Sequence, residues 1–375
     1  MREVNPKNQP RPVLLMSREL GIGGTERQLV QTALTLDRAR FAPHVACFHA
    51  DGFRAAALRA GGIPIVELPV RSFMRWSAVT GAWRLACYLR AHRIQLAHAF
   101  DVPMDVFGVP VARFARTPVV ISSQRAHRNL TPGIYTRLLR VTDRMVDALV
   151  VNSRAVEREL IGQHKVPPAL IRFWPNSIDP SEFQPEPRVR QPEVADSELV
   201  IGSLCALRPE KGLDVLLEAF AALRPPGTLL VIVGSGPAEA GLRQRAAALG
   251  LDHRCRFIPM VTNVAEWLRS IDIYVLPSRS EASSNSLMEA MSCGCCCVAS
   301  DTGGNPELID NGVTGMLFSS GESAGLAATL GALITHEPLR LRLAQAAVAH
   351  IRRTFSAQAS AERAAGLYTE LLERR

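Results

Sequence analysis

Two carboxylates, Glu281 and Glu289, stand with seven residues between them, and the polar run Ser283-Ser284-Asn285 falls inside that interval. Serine and asparagine are favoured helix caps, and Leu287, Met288, Ala290 and Met291 supply the apolar content of a helix that follows. Residues 273–276 are apolar and closed by Pro277, the pattern of a parallel strand covered on both faces. A helix starting at the carboxyl edge of such a sheet directs backbone N–H groups and a positive dipole end outward, which suits a phosphate. Two acids beside a phosphate repel the ligand unless they face neutral hydroxyls. A nucleotide-sugar, with hydroxyls on both sides of its diphosphate, meets both demands.

A cation belongs in such a site. Only three lysines occur, Lys7, Lys165 and Lys211, and the last lies in the turn Arg208-Pro209-Glu210-Lys211-Gly212. A compact ammonium suits a diphosphate whose charge grows as it leaves; the alternative is a surface charge at a helix start. The glycine-rich turn Gly21-Ile22-Gly23-Gly24-Thr25 lacks the third glycine of a dinucleotide fingerprint, and no clear ribose-binding acid ends a following strand, which argues against a dehydrogenase.

These residues need a sheet to hold them. Short apolar runs at 13–16, 44–48, 63–68, 96–99, 119–122 and 148–151 alternate with helical stretches, beginning with one at about 26–36. Such alternation predicts a parallel sheet with helices on both faces. Residues 181–198 are proline-rich, charged and without apolar periodicity, and read as a linker; a second alternating series begins at Leu199. A length of 375 residues fits two domains. The expected division is 1–180, a linker at 181–198, 199–355, and a final helix at 356–375.

Taken in order, Gly23-Gly24-Thr25-Glu26-Arg27, Val151-Asn152-Ser153, Pro175-Asn176-Ser177-Ile178-Asp179, the Lys211 turn with the helix to Phe220, Val231-Ile232-Val233-Gly234-Ser235-Gly236-Pro237, the Glu281/Glu289 segment and Gly303-Gly304-Asn305-Pro306-Glu307 resemble the retaining, nucleotide-sugar-dependent glycosyltransferases of family 4. The resemblance covers most of the chain. It implies α/β architecture with two Rossmann-like parallel-sheet domains facing a cleft (the GT-B fold), a nucleotide-diphospho-sugar held mainly by the second domain, and a hydroxyl acceptor by the first. It also implies transfer on one face of the sugar, with the leaving diphosphate assisting the incoming hydroxyl and no metal or other cofactor required. Lys211, Arg208 and the amides around Ser284, Asn285 and Ser286 would hold the diphosphate, Glu281 the sugar hydroxyls and Glu289 the ribose. Gly23, Gly24 and Gly234 would let backbone approach the donor, although a glycine pair also makes a packing turn. The family's arginine five positions before the lysine is Ala206 here, so Arg208 is the expected substitute. Its histidine near the fifth strand end is replaced by Arg125, with His127 two positions on. His98 matches the first histidine of a His-x-His whose second place is Phe100. These three are the acceptor-side candidates, with a structural role as the alternative for both histidines. A same-fold epimerase or hydrolase and a non-catalytic nucleotide-sugar sensor are the competing functions.

Charge divides unevenly. Residues 1–180 carry 25 Lys and Arg against 13 Asp and Glu, a net of +12, and the remainder 18 against 22, a net of −4. The basic half contains Arg71, Arg75, Trp76, Trp83, Arg84, Tyr88, Arg90 and Arg93, a mixture found on interfacial helices. It suggests an anionic membrane surface and a lipid-linked or cell-envelope acceptor; the alternative buries both tryptophans. No nucleic-acid module accompanies the charge. The isolated cysteines read as small core residues and Cys295–Val298 as the start of a buried strand, not a metal site. With no spanning run and no signal-peptide pattern in the first twelve residues, the expected location is cytoplasmic, on or off the inner membrane face.

Overall fold

A computed structural model describes residues 9–21, 23–187 and 189–375. The chain forms two compact units, one running to Ser177 and completed by Ala357–Arg375, the other Ile178–Ser356.

The first unit is built on seven parallel strands: β1 (Arg11–Met16), β2 (Phe41–Cys47), β3 (Ile65–Glu67), β4 (Leu96–Ala99), β5 (Val119–Gln124), β6 (Ala148–Val151) and β7 (Ile171–Phe173). Their order is β3-β2-β1-β4-β5-β6-β7. The second has six: β8 (Leu199–Leu204), β9 (Thr228–Val233), β10 (Cys255–Ile258), β11 (Ile273–Leu276), β12 (Cys296–Ser300) and β13 (Met316–Phe318), in the order β10-β9-β8-β11-β12-β13. β4, β6, β9, β11 and β12 are buried at every residue, as strands covered by helices on both faces must be. Each sheet reverses its direction of growth once, between β1 and β4 and between β8 and β11, so each carries a switch point where loops part at the carboxyl edge.

The strands expected from apolar runs are all present, β4, β6 and β11 with the expected bounds and the others with shifted ends. β7 is an addition: three residues, with Phe173 exposed, give too little apolar signal to stand out. The cysteine run enters β12 at Cys296, and burial pushes the Cys296 thiol up to about 12.

Residues 181–198 are not a loose linker. Phe183 and Val194 are buried, Ser292 Oγ donates to the Phe183 carbonyl at 2.7 Å, and Arg190 pairs with Asp272 at 2.9 Å. Two apolar anchors among prolines give no periodicity, yet suffice to fasten the segment to the second unit. The last helix, Ala357–Glu373, contributes Ala364, Ala365, Tyr368 and Leu371 to the core of the first unit.

The tryptophans of the basic segment are not core. Trp76 is 82% and Trp83 71% exposed, both on the helix Trp76–Ala91. Among the described residues no helix is long and apolar enough to cross a membrane.

Candidate functional site

In the second unit the chain leaves β8, makes the single turn Pro209–Lys211 and enters the helix Leu213–Leu223 through Gly212. Gly212 has φ of +63°, and a Cβ there would lie 2.1 Å from the Pro277 carbonyl oxygen. Only glycine permits both the left-handed backbone and this approach to the end of β11. The approach spans the switch point and brings Lys211 Nζ to Glu281 Oε2 at 2.6 Å, with Ser278 Oγ donating to the same oxygen at 3.2 Å. Burial acts to lower the Lys211 pKa, but the Glu281 charge and hydrogen bond outweigh it and hold the ammonium above its ordinary value. On the other side, Gly303 (φ +57°) passes so close that a Cβ would stand 1.5 Å from the Glu281 carbonyl oxygen, and the Gly304 amide donates to that oxygen at 3.2 Å. Glu281 is thus fixed by its backbone from one side and its carboxylate from the other.

The helix Asn285–Ser292 begins next to this pair in sequence. Of the three cap candidates Ser284 is the cap, accepting from the Leu287 amide at 3.2 Å, and its hydroxyl lies 3.2 Å from that of Ser286. Asn285 and Ser286 open the helix, and Glu289 is buried on its second turn. Gly234 closes β9, its amide donating to the Ile258 carbonyl at 2.9 Å.

Arg208 does not join Lys211. Its side chain is 63% exposed and no nearer to Glu210 than 3.9 Å, facing a groove of about 410 Å³ that it shares with Asp214, Arg245 and Arg279. The residue before a proline is driven into extended backbone, here φ −119° and ψ 153°, and Arg208 lies on the outer side of the turn.

The first unit treats its candidates differently. His98 lies within β4 and is wholly buried, with Nδ1 2.7 Å from Tyr368 Oη and Nε2 2.8 Å from Ser123 Oγ. Burial, reinforced by the Arg125 charge, holds its pKa well below the usual histidine value. His127 pairs through Nδ1 with Glu159, whose carboxylate also accepts from the Arg128 amide at 2.9 Å. Both histidines are thus held by the protein's own side chains, His98 at both ring nitrogens and His127 at Nδ1. Arg125 lies 4.9 Å above the Phe100 ring and donates from Nη1 to Asn176 Oδ1 at 2.7 Å.

Gly23 caps the helix Gly24–Thr35, but the space above it is taken: a Cβ there would meet the Glu26 carboxylate at 2.2 Å. A glutamate three residues after the cap turns back on the helix start, so the Glu26 carboxylate lies beside the exposed Gly23.

Sequence reasoning missed Asp101. It bridges the first sheet's switch point, accepting from Ser17 Oγ at 2.9 Å and the Arg18 amide at 2.6 Å while capping the helix Val102–Phe114 through the Met104 amide at 2.9 Å. The cap position ahead of Val102-Pro103 is the signal that marks it. Arg128, buried in a bidentate pair with Asp143 at 2.8 and 2.9 Å, carries no local sequence signal. Among the described residues no group of three or more histidines, cysteines or acids lies close enough to hold a metal ion.

The model for the Glycosyltransferase Family 4 matches residues 22–182, and that for Glycosyl transferases group 1 matches residues 186–350. A D-inositol 3-phosphate glycosyltransferase of Stackebrandtia nassauensis is 30% identical over 72% of this chain and 65% of its own length. The lipopolysaccharide core biosynthesis mannosyltransferase LpcC of Rhizobium leguminosarum is 26% identical over 80% of this chain and 84% of its own. The match to the first of these spans about two thirds of that relative's length. The crystal structure of Anabaena Alr3699/HepE in complex with UDP and glucose superposes with a TM-score of 0.83 at 22% identity, over 95% of this chain and 99% of that one. Two parallel α/β units of this kind, matched end to end by two models of one enzyme class, place the chain in the group 1 and family 4 glycosyltransferases of the GT-B fold.

Proposed function

We propose that the protein is a retaining glycosyltransferase that moves a sugar from a nucleotide-diphospho-sugar to a hydroxyl of a cell-envelope glycan or lipid-linked acceptor. The observation that carries this reading is the Lys211–Glu281 pair at the second switch point, beside the Ser284-capped helix. Lys211 keeps its proton and supplies positive charge where the glycosidic C–O bond breaks and its electron pair passes to the diphosphate. The acceptor oxygen bonds to the anomeric carbon on the face the diphosphate leaves, and its proton passes to a departing phosphate oxygen. Glu281, released from Lys211 as phosphate arrives, accepts from sugar hydroxyls; Glu289 accepts from the ribose. No step in this scheme uses a metal.

The acceptor class rests on the relatives' names, a mannosyltransferase of lipopolysaccharide core biosynthesis and an inositol-phosphate glycosyltransferase, and on the surface of the first unit. The helices Trp76–Ala91 and Gly133–Thr142 flank the helix Val102–Phe114. They expose Trp76, Trp83, Ile134 and Val141 among Arg71, Arg75, Arg84, Arg137 and Arg140. Apolar anchors ringed by cations suit an anionic bilayer, each basic residue near it contributing about 1 kcal/mol. Co-sedimentation with anionic liposomes is expected at low salt and lost at high salt. Equal binding by a variant with Arg71, Arg75 and Arg84 changed to Gln contradicts the placement.

The donor is tested by thermal shift across nucleotide-sugars, where a true donor at 100 times its Kd stabilises by about 2.7 kcal/mol. Glu289→Gln should weaken the matching nucleoside diphosphate by roughly 1.5–3 kcal/mol, and unchanged affinity removes Glu289 from the ribose. A donor consumed at full rate without any acceptor identifies an epimerase or hydrolase instead.

A further inference from the structure

Arg125 is a part-buried cation in the first unit without an acid to balance it. Its Nε is shut off from solvent with no hydrogen-bond partner, its Nη1 is satisfied by the neutral amide of Asn176, and its guanidinium rests on Phe100. Among the described residues no carboxylate lies within ion-pair distance of it. The buried arginine of this region, Arg128, has Asp143 in a two-pronged pair, so the fold does supply acids where a guanidinium serves structure alone. A part-buried, uncompensated charge is costly, and burial lowers the Arg125 pKa to about 10 while leaving it protonated.

A second unmet group lies on the same network. Asn152 Nδ2 is 3.4 Å from both the Arg125 carbonyl and Asn176 Oδ1, while its own Oδ1 is buried and accepts from nothing. One site therefore offers an unspent cation and an unspent acceptor. Resting on the donor assignment above, which gives the diphosphate to Lys211 in the second unit, we infer that Arg125 and Asn152 form a subsite for an anionic group of the acceptor, a phosphate or carboxylate with a hydroxyl beside it.

The test uses the full chain saturated with the nucleoside diphosphate identified by the donor screen, with inorganic phosphate, glucuronate and glucose as probes. Phosphate and glucuronate should raise the melting temperature of the wild type and glucose should not, and the stronger of the two anions names the acceptor's charged group. Arg125→Gln should weaken both anions at least tenfold while leaving nucleoside diphosphate affinity within twofold, and Arg125→Lys should restore part of the response. A melting profile of the unliganded variant that matches the wild type's shows that its first unit is folded. The inference is overturned if glucose acts as well as the anions, if wild type responds to neither anion, or if Arg125→Gln responds as wild type does. A tenfold loss of nucleoside diphosphate affinity in Arg125→Gln also overturns it, by giving the guanidinium to the donor. A screen that finds no nucleotide ligand at all defeats the donor reading and leaves the anion titrations to be read by themselves.

Discussion

At the second sheet's switch point, Lys211 and Glu281 hold each other at 2.6 Å with 20% and 12% of their side chains still reachable. Inside β4 of the first sheet, His98 is closed between Tyr368 and Ser123 with no exposed surface. A charged pair open at one side can exchange partners, the ammonium for a phosphate and the carboxylate for hydroxyls. A neutral imidazole with both nitrogens engaged cannot do so without dislodging Tyr368. Two similar sheets thus differ: the second holds an exchangeable ion pair in the loops past its strand ends, and the first a closed, hydrogen-bonded imidazole inside the strand beside its switch point.

The comparison breaks most visibly at Tyr368. Removing a fully buried ring leaves a cavity and strands His98 Nδ1, so Tyr368→Ala should cost about 3–5 kcal/mol of stability, measured by urea denaturation. Tyr368→Phe, which keeps the ring, should cost about 1–3 kcal/mol for the unmet polar group. A Tyr368→Ala protein as stable as wild type would mean that His98 is not structural.

Next comes Lys211→Ala, which strands the mostly buried Glu281 carboxylate and so lowers the unfolding midpoint, and should lower kcat by about 10²–10³-fold, on the order of 2.7–4 kcal/mol of transition-state charge stabilisation. A raised KM with unaltered kcat would make Lys211 a ground-state anchor.

The smallest effect is a slope against pH. Because burial and the neighbouring Arg125 charge depress the folded-state pKa of His98, its contribution is full above the unfolded value of 6.5 and is lost as the pH falls below that toward the folded-state value. His98→Asn should flatten the decline of the melting temperature below pH 6.5. An unchanged slope would show that another group governs it.

What the sequence made legible follows the same division. Lys211, Glu281 and the Ser284 cap lie in turns whose residues are close in sequence, and turn chemistry and capping rules read such neighbourhoods well. The strands were legible because burial on both faces leaves continuous apolar runs. His98 was found, but its role depends on Tyr368, 270 positions away, and no spacing rule joins residues so distant. The exposure of Arg208 was not legible because a proline fixes the backbone before it, which composition alone does not convert into a side-chain direction. The segment 181–198 went astray because Phe183 and Val194 are two anchors in an aperiodic stretch.

The core that Val13, Leu15 and Phe41 begin is completed by Ala364, Ala365, Tyr368 and Leu371. A ribosome adding roughly 5–20 residues per second therefore joins every residue of Ile178–Ser356 to the chain before it makes the helix that seals the earlier unit. The unit begun first is finished last. During that interval Phe41 and the His98 imidazole lack their cover, and the nascent first sheet is the part of the chain a chaperone would hold.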